Sequence, residues 1–463
     1  MTDRLNPLDV SFLYMEGPTT PMHVGGVAVF QPPAGGFDHD KLVAIIEQRI
    51  GLVPRYRQKI KWVPGHIASP VWVDDAAFDV GYHVRRSALP RPGSDASLRE
   101  LVGRLMSRRL DRSRPLWEMY LVEGLADGRI AIITKTHHAM VDGISAVDIG
   151  QVILDLTPAP RKVPEDTWVP EPEPHPVELV LDAVNEIVQR PTAIVDAIRM
   201  GVNDVTSTVG TVIGHVGGLL AYARTAIRPA PETPLNVEVG EQRRFGMART
   251  ELDDYKRVRK SHGGTVNDVV LATVAGALRT WLMTRGEPVT AASSLRAMVP
   301  VSVRNADEHG VVGNRVSSYL VDLPVGEPDP VERLHQISVA MKAHKEAGQS
   351  VGADALVRLS GFAPPTLHSL GARAASQLSR RLFNVVVTNV PGPQFALYAG
   401  GAQMLEVFPV VPLAKGQAVC IGLTSYNGGV YYGLNADRDA MADVDVLCEV
   451  IEESLAELVE TVR

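Results

Sequence analysis

The octapeptide THHAMVDG, Thr136 to Gly143, sets two adjacent histidines three residues ahead of an aspartate–glycine pair. The run before it, RIAIITKT from Arg129, alternates Ile130, Ile132 and Thr134 with Ala131, Ile133 and Lys135, which predicts a strand. The run after it, ISAVDIGQVILDL, gathers Ala146, Ile149, Val152, Ile153 and Leu156 on one helical face. The motif is therefore a strand-to-helix corner. Glycine allows positive φ there, and rigid scaffolds present reactive groups at such corners.

Three readings compete for this corner. Adjacent histidines on a strand point to opposite faces, so only one readily joins Asp142, whereas zinc needs three or four ligands. No HExxH, CxxC or second histidine cluster accompanies it, so no metal is expected. A structural histidine pair explains the imidazoles but not their coincidence with aspartate, glycine and corner. General base catalysis explains all four: histidine titrates near neutrality and takes a proton if its tautomer is fixed and its pocket dry.

Working outward, the 463 residues suffice for two or three cores. Apolar residues at 45% and charged residues at 21% are globular values. The formal charge of −7 gives no global signal for nucleic acid, whose binders carry a basic excess. Cys420 and Cys448 sit in apolar runs and read as buried thiols of a reducing cytosol. The N-terminus lacks the pattern of a signal peptide, so the chain is expected not to be secreted. The best candidate for a transmembrane span, Thr206 to Ile227, is broken by four glycines, a histidine and an arginine. Spanning needs roughly 20 mostly apolar residues, so no span is expected, and an interfacial helix remains open.

Three zones follow. Residues 1–157 alternate strand-like and helix-like segments, including a strand at HVGGVAVFQ and a helix from Asp40 to Ile50. Residues 158–237 open with seven prolines in TPAPRKVPEDTWVPEPEPHP, contain helical stretches near 176–200 and 203–227, and close with RPAPETPLN. This is an extended crossover linker. Residues 238–463 form the third zone. TVNDVVLATVAGALRTWLMTRG is a buried helix capped by Thr265 with Asp268 in the capping-box position and ended by Gly286. LRAMVPVSVR is a strand whose Pro300 places it at an edge or a strand end. QAVCIGLTSYNGGVYYGLNAD is a hairpin turning at Asn427-Gly428-Gly429, and a last helix covers about 442–461.

HHxxxDG is the signature of the coenzyme-A-dependent acyltransferase superfamily, to which chloramphenicol acetyltransferase and peptide-synthetase condensation domains belong. The rest of the chain resembles its bacterial wax ester synthase/acyl-CoA:diacylglycerol acyltransferase family. The resemblance rests on LNPLDVSFLYMEGPTTPMHVG at the start, Pro115-Leu116-Trp117 in DRSRPLWEMYLVEGL, Asn267-Asp268 in TVNDVVLA, and Asn389-Val390-Pro391-Gly392-Pro393 in FNVVVTNVPGP. With HHxxxDG these span nearly the whole chain in order.

The resemblance implies an α/β (α+β) fold of two chloramphenicol-acetyltransferase-like domains, with a tunnel at their interface and the Pro-rich helical linker joining them. It implies His138 as the general base mid-tunnel. His137 and Gly143 support the loop, and Asp142 is a structural partner of an arginine, for which Arg304 is the candidate. Asn267, Asp268 and Ser302 are candidates for substrate contact. No cofactor is implied, acyl-CoA being a substrate. The acceptor is diacylglycerol, giving triacylglycerol without an acyl-enzyme; long-chain fatty alcohols, or an acyl donor held on a carrier protein, are the alternatives. Lipid substrates imply a cytoplasmic enzyme peripherally associated with the inner membrane surface or lipid bodies.

Two strings compete for attention. GQSVG, Gly348 to Gly352, matches a nucleophile elbow, but that motif needs a strand before its serine and MKAHKEA is helix-like. In PRYRQKIKW, Arg55, Arg57, Lys59 and Lys61 alternate, so a strand there shows a basic face. Such a face either draws anionic groups or simply protects a strand edge.

Overall fold

The computed structural model describes residues 3–141, 149–189, 229–302, 316–346, 351–352 and 382–462. Their architecture is the expected α/β one, built on two large sheets. The first runs β5 (Val84–Ala88), β6 (Trp117–Glu123), β7 (Ile130–His137), β2 (His23–Gln31), β15 (Ala402–Val410), β14 (Tyr398–Ala399) and β8 (Leu154–Asp155). The second runs β12 (Val351–Gly352), β11 (Val316–Leu323), β10 (Leu295–Ser302), β13 (Val385–Pro391), β16 (Val419–Tyr426), β17 (Gly429–Asp437) and β9 (Arg243–Glu251). A small sheet joins β1 (Asp3–Arg4), β4 (Val71–Asp74) and β3 (Gln58–Lys61).

The chain does not divide between the large sheets at one point. β14 and β15, from the last third of the sequence, lie in the first sheet, where β15 pairs antiparallel with β2. The crossing is made by the Pro391–Pro393 turn. Asn427 N–H donates to the Pro393 carbonyl at 3.0 Å, which ties the turn to the tip of the β16–β17 hairpin. Gly392 is required there, because a Cβ would lie 2.3 Å from the Ser425 carbonyl oxygen.

The halves also share a core. Val27, Val29, Leu98, Val102 and Ile133 pack with Phe245 and Met247 of β9. The helix Asp95–Ser107 lies against β9 so closely that a Cβ on Gly103 would stand 2.6 Å from the Arg243 carbonyl oxygen. Arg249 of β9 clamps the contact, reaching Asp95 at 2.7 Å and Glu406 at 2.7 Å.

In the second half the helix Val266–Thr284 is buried along most of its circumference, with Val270, Leu271, Val274, Leu278 and Trp281 inside. A helix apolar all round belongs in a core. Thr265 and Asp268 form the capping box, and Gly286 beyond its end takes φ +75°. The hairpin closes through Asn427 (φ +46°) and Gly428 (φ +92°), a left-handed pair that matches strand twist. Helices cover Pro7–Met15, His39–Arg49 and Val444–Glu460. Cys420 and Cys448 are buried free thiols.

Three expectations change. The helix after the histidine motif ends early: Ile149–Val152 is helical, but Leu154–Asp155 is strand β8 and Leu156 is exposed. Asp155 instead bonds the buried Arg49 guanidinium at 2.8 Å. β10 is not an edge strand, because it pairs β11 along its length. It pairs β13 only through Ala297 and Met298, so Pro300 lies past that ladder's end, the strand-end option. Finally, Pro54–Arg57 is a 3₁₀ turn, and only Gln58–Lys61 is strand. The linker's acids cover the basic side chains: Arg57 pairs with Asp166, and Lys61 reaches Glu173 at 2.9 Å. That face is neutralised from within the chain and does not stand open to an anionic substrate.

Candidate active site

β7 ends at His137, and His138 opens a single 3₁₀ turn, His138–Met140. The His138 N–H donates to the Met22 carbonyl at 2.8 Å, and the His137 N–H to Leu116 at 2.9 Å. The corner is thus pinned to both neighbouring segments. The two imidazoles have different surroundings: His137, following Ile133 and Lys135 on one face of β7, lies beside Glu16 and His23, whereas His138, in the 3₁₀ turn beyond the strand, lies against Phe12.

His137 is fully buried. Its Nδ1 accepts the Ala139 N–H at 3.0 Å, capping the turn that carries His138. A neutral ring whose Nδ1 accepts must hold its proton on Nε2. Burial, against the opposing pull of Glu16, drives its pKa down to about 3, so the ring is neutral at pH 7.

His138 keeps some accessible surface although it lies deep in the protein. The Phe12 ring stacks on it with centroids 3.9 Å apart and planes at 22°. Phe12 comes from the helix Pro7–Met15, whose N-cap Asn6 accepts the Asp9 N–H at 2.9 Å. Burial lowers the His138 pKa to about 4, opposed only weakly by its own carbonyl. The imidazole is therefore unprotonated at neutral pH, and its Nδ1 has no hydrogen-bond partner among the described residues. A neutral, partly accessible imidazole has a lone pair free to take a proton.

Beneath the corner lies a charged cluster that sequence reasoning did not assign. The Glu16 carboxylate is buried, and its Oε2 accepts from Arg112 Nε at 2.9 Å. Its Oε1 lies 3.4 Å from His23 Nε2 and 3.8 Å from His137 Nε2. Burial alone raises its pKa, but the bond to His23, the nearby His137 and Arg112 outweigh this and bring it to about 2. Lys135 is also buried, bonded to the Leu105 carbonyl at 3.0 Å and lying 3.6 Å from Glu118. Burial, partly offset by Glu118, lowers its pKa to about 8. The detectable signal was a lone glutamate between two apolar segments of the N-terminal motif, and a lone histidine opening β2.

The other expected residues divide. Asp142, Gly143 and Arg304 lie outside the described residues, as does Ser350 of GQSVG. Ser302 is the last residue of β10. Asp268 is engaged in capping: its Oδ2 accepts the Thr265 N–H at 2.8 Å and the Ser338 hydroxyl at 3.3 Å. Asn267 accepts from Asn389 Nδ2 at 3.3 Å, which joins the Asn-Asp motif to the Asn-Val-Pro-Gly-Pro motif across the second half. Trp117 is wholly buried and donates from Nε1 to the Tyr56 carbonyl at 2.8 Å, so it is a core residue. In the basic run RRLDRSR, Arg108 to Arg114, Arg112 pairs with Glu16 and Arg114 stacks on Tyr82 at 3.9 Å, while Arg108 and Arg109 are exposed. No group of three or more metal-ligating side chains able to hold an ion occurs among the described residues.

Residues 5–270 match the wax ester synthase/diacylglycerol acyltransferase catalytic domain, and residues 312–459 the WS/DGAT C-terminal domain. A Mycobacterium tuberculosis protein named probable diacylglycerol O-acyltransferase tgs2 is 35% identical over 99% of both chains. The one named tgs3 is 47% identical over 56% of this chain and 96% of its own. The solved wax ester synthase/diacylglycerol acyltransferase from Marinobacter aquaeolei VT8 is 30% identical and covers 99% of both chains with a TM-score of 0.70. The first condensation domain of the calcium-dependent antibiotic synthetase, at 15% identity and a TM-score of 0.57, shares the fold. On its sequence and its architecture alike, the chain belongs to the wax ester synthase/diacylglycerol acyltransferase family.

Proposed function

We propose that this protein transfers a long-chain acyl group from acyl-CoA to diacylglycerol, forming triacylglycerol, with His138 as general base and without a metal or other cofactor. The carrying observation is the His138 imidazole, neutral and stacked under Phe12 at a pinned corner. Relatives named diacylglycerol O-acyltransferases support the reaction class. In the proposed reaction, His138 accepts the hydroxyl proton as the acceptor oxygen bonds to the thioester carbonyl carbon. The tetrahedral intermediate then collapses, the C–S bond breaks, and His138 returns the proton to the departing CoA thiolate. General base catalysis supplies roughly 10²–10⁴-fold, and alignment of the two substrates up to about 7–11 kcal/mol.

The expected segmentation into 1–157, 158–237 and 238–463 remains part of this reading, as do the loop roles of Asp142, Gly143 and Arg304 and a substrate role for Asn267 and Ser302. Peripheral contact with a lipid surface is part of it too. No helix among the described residues is long and apolar enough to cross a membrane. The helix Pro176–Gln189 buries Leu179 and Ala183 while leaving Val177, Leu181 and Val184 exposed, which supports shallow contact.

Purified protein supplied with labelled acyl-CoA and either diacylglycerol or a long-chain alcohol tests the reading. Labelled triacylglycerol is expected. Wax ester alone moves the assignment to the alcohol acceptor, and no product with either acceptor defeats it.

A further inference from the structure

We infer that Glu16 is a positioning residue for this chemistry, holding His137 in one tautomer and thereby the turn that presents His138. The inference rests on the assignment of His138 as the base.

The geometry begins with an improbable carboxylate. The Glu16 side chain is 1% exposed, and a charge is not buried cheaply without partners. Arg112 satisfies one oxygen, Oε2, through two donors at 2.9 and 2.5 Å. Oε1 has His23 Nε2 at 3.4 Å on one side, and on the other it faces His137 Nε2, which makes no hydrogen bond among the described residues, at 3.8 Å. That separation is just beyond a hydrogen bond but well within electrostatic reach at low dielectric. His137 Nδ1 is already committed to the Ala139 N–H, so the proton of the neutral ring sits on the nitrogen turned toward Glu16. The backbone fixes one side of the imidazole and the carboxylate the other. A ring turned over would take the acceptor from Ala139, the residue next to His138.

The same helix end serves both histidines. The Glu16 N–H donates to the Phe12 carbonyl, so the two residues are one turn apart. Phe12 covers His138 and Glu16 backs His137. The titratable and charged groups that face this carboxylate are His23 of β2, His137 of β7 and Arg112, with Lys135 and Glu118 behind them.

Glu16→Gln is the sharpest test, because volume is kept while the donor pattern is inverted. The guanidinium of Arg112 demands the amide oxygen, which turns the amide NH₂ toward His137 Nε2–H, donor against donor. The full chain, labelled with ¹⁵N-histidine, is compared as wild type, Glu16→Gln and Glu16→Ala by ¹⁵N spectra, melting, and kcat and KM for acyl-CoA with diacylglycerol. The expected result is loss of the single Nε2-protonated pattern of His137 and a kcat about 10- to 100-fold lower, the scale of a small misplacement of a reacting group. KM is expected to stay within about twofold. A folded variant with an unchanged His137 spectrum, or with wild-type kcat, overturns the inference. If Glu16→Ala fails to fold, Glu16→Gln decides alone. If the wild type transfers no acyl group, the base assignment fails, while the spectra still judge the hold of Glu16 on His137.

Discussion

Two polar corners of this molecule look alike in sequence and differ in what their polar atoms do. At Thr265–Asp268 a threonine and an aspartate open a helix, and each satisfies the other's backbone: Thr265 Oγ1 accepts the Asp268 N–H at 3.2 Å, and Asp268 Oδ2 accepts the Thr265 N–H at 2.8 Å. At Thr136–His138 the Thr136 hydroxyl, His137 Nε2 and His138 Nδ1 are buried without hydrogen-bond partners among the described residues. Buried polar groups in folded proteins are nearly always paired, because an unmade bond costs about 1–3 kcal/mol. The first corner has spent its polarity on stability. The second keeps these atoms unpaired among the described residues, and in the proposed reaction substrate would supply the missing partner.

The contrast can be broken most directly at its most reactive member. His138→Ala is expected to lower turnover by about 10³-fold or more while leaving the melting transition essentially in place. Surviving turnover, measured with labelled acyl-CoA, defeats the role of the corner. Phe12→Ala is the next largest. Rehydration of the imidazole moves its pKa from about 4 back toward its ordinary 6.5, so the acid limb of kcat/KM moves up in pH and the rate at pH 5 falls about tenfold or more, while at pH 7 the unprotonated fraction changes by less than about twofold. A pH–rate profile identical to wild type removes Phe12 from the account.

Stability against acid sharpens the same comparison. His137 and His138 have folded pKa values depressed to about 3 and 4. Unfolded, they bind protons below about 6.5. Stability is therefore full above pH 6.5 and falls as pH drops toward 4, by about 2 kcal/mol per ring at pH 5. Urea melts at pH 7 and pH 5 measure the drop, and His138→Ala is expected to shrink it. Asp268→Ala gives the smallest effect on chemistry: about 1 kcal/mol of stability lost with the cap, and turnover per folded molecule within about twofold. A large kcat loss in a fully folded Asp268→Ala protein moves that residue from cap to site.

Much of this arrangement was legible along the chain because it is local. Alternation in Ile130–Thr136, capping at Thr265 and the Asn427-Gly428 turn each depend on neighbours a few residues away, and the structure follows them. The strand proposed from Arg55 starts only at Gln58, for the opposite reason. Alternating charge resembled a strand face, but Pro54 initiates a 3₁₀ turn, and Asp166 and Glu173 of the linker, more than a hundred residues on, pair with Arg57 and Lys61. The helix expected to run to Leu156 stopped because the distant Arg49 and β14 claim Asp155 and Leu154.

The histidine pair and the strand that ends at it were set by the order of residues alone, since strand alternation acts over single residues. Tertiary structure decided which groups surround them: Phe12 over one imidazole, Glu16 and Arg112 behind the other, and β15 returning from the far end of the chain to lie beside β2. Those neighbours set desolvation and charge. Both depend on distances in space, which no short stretch of sequence records.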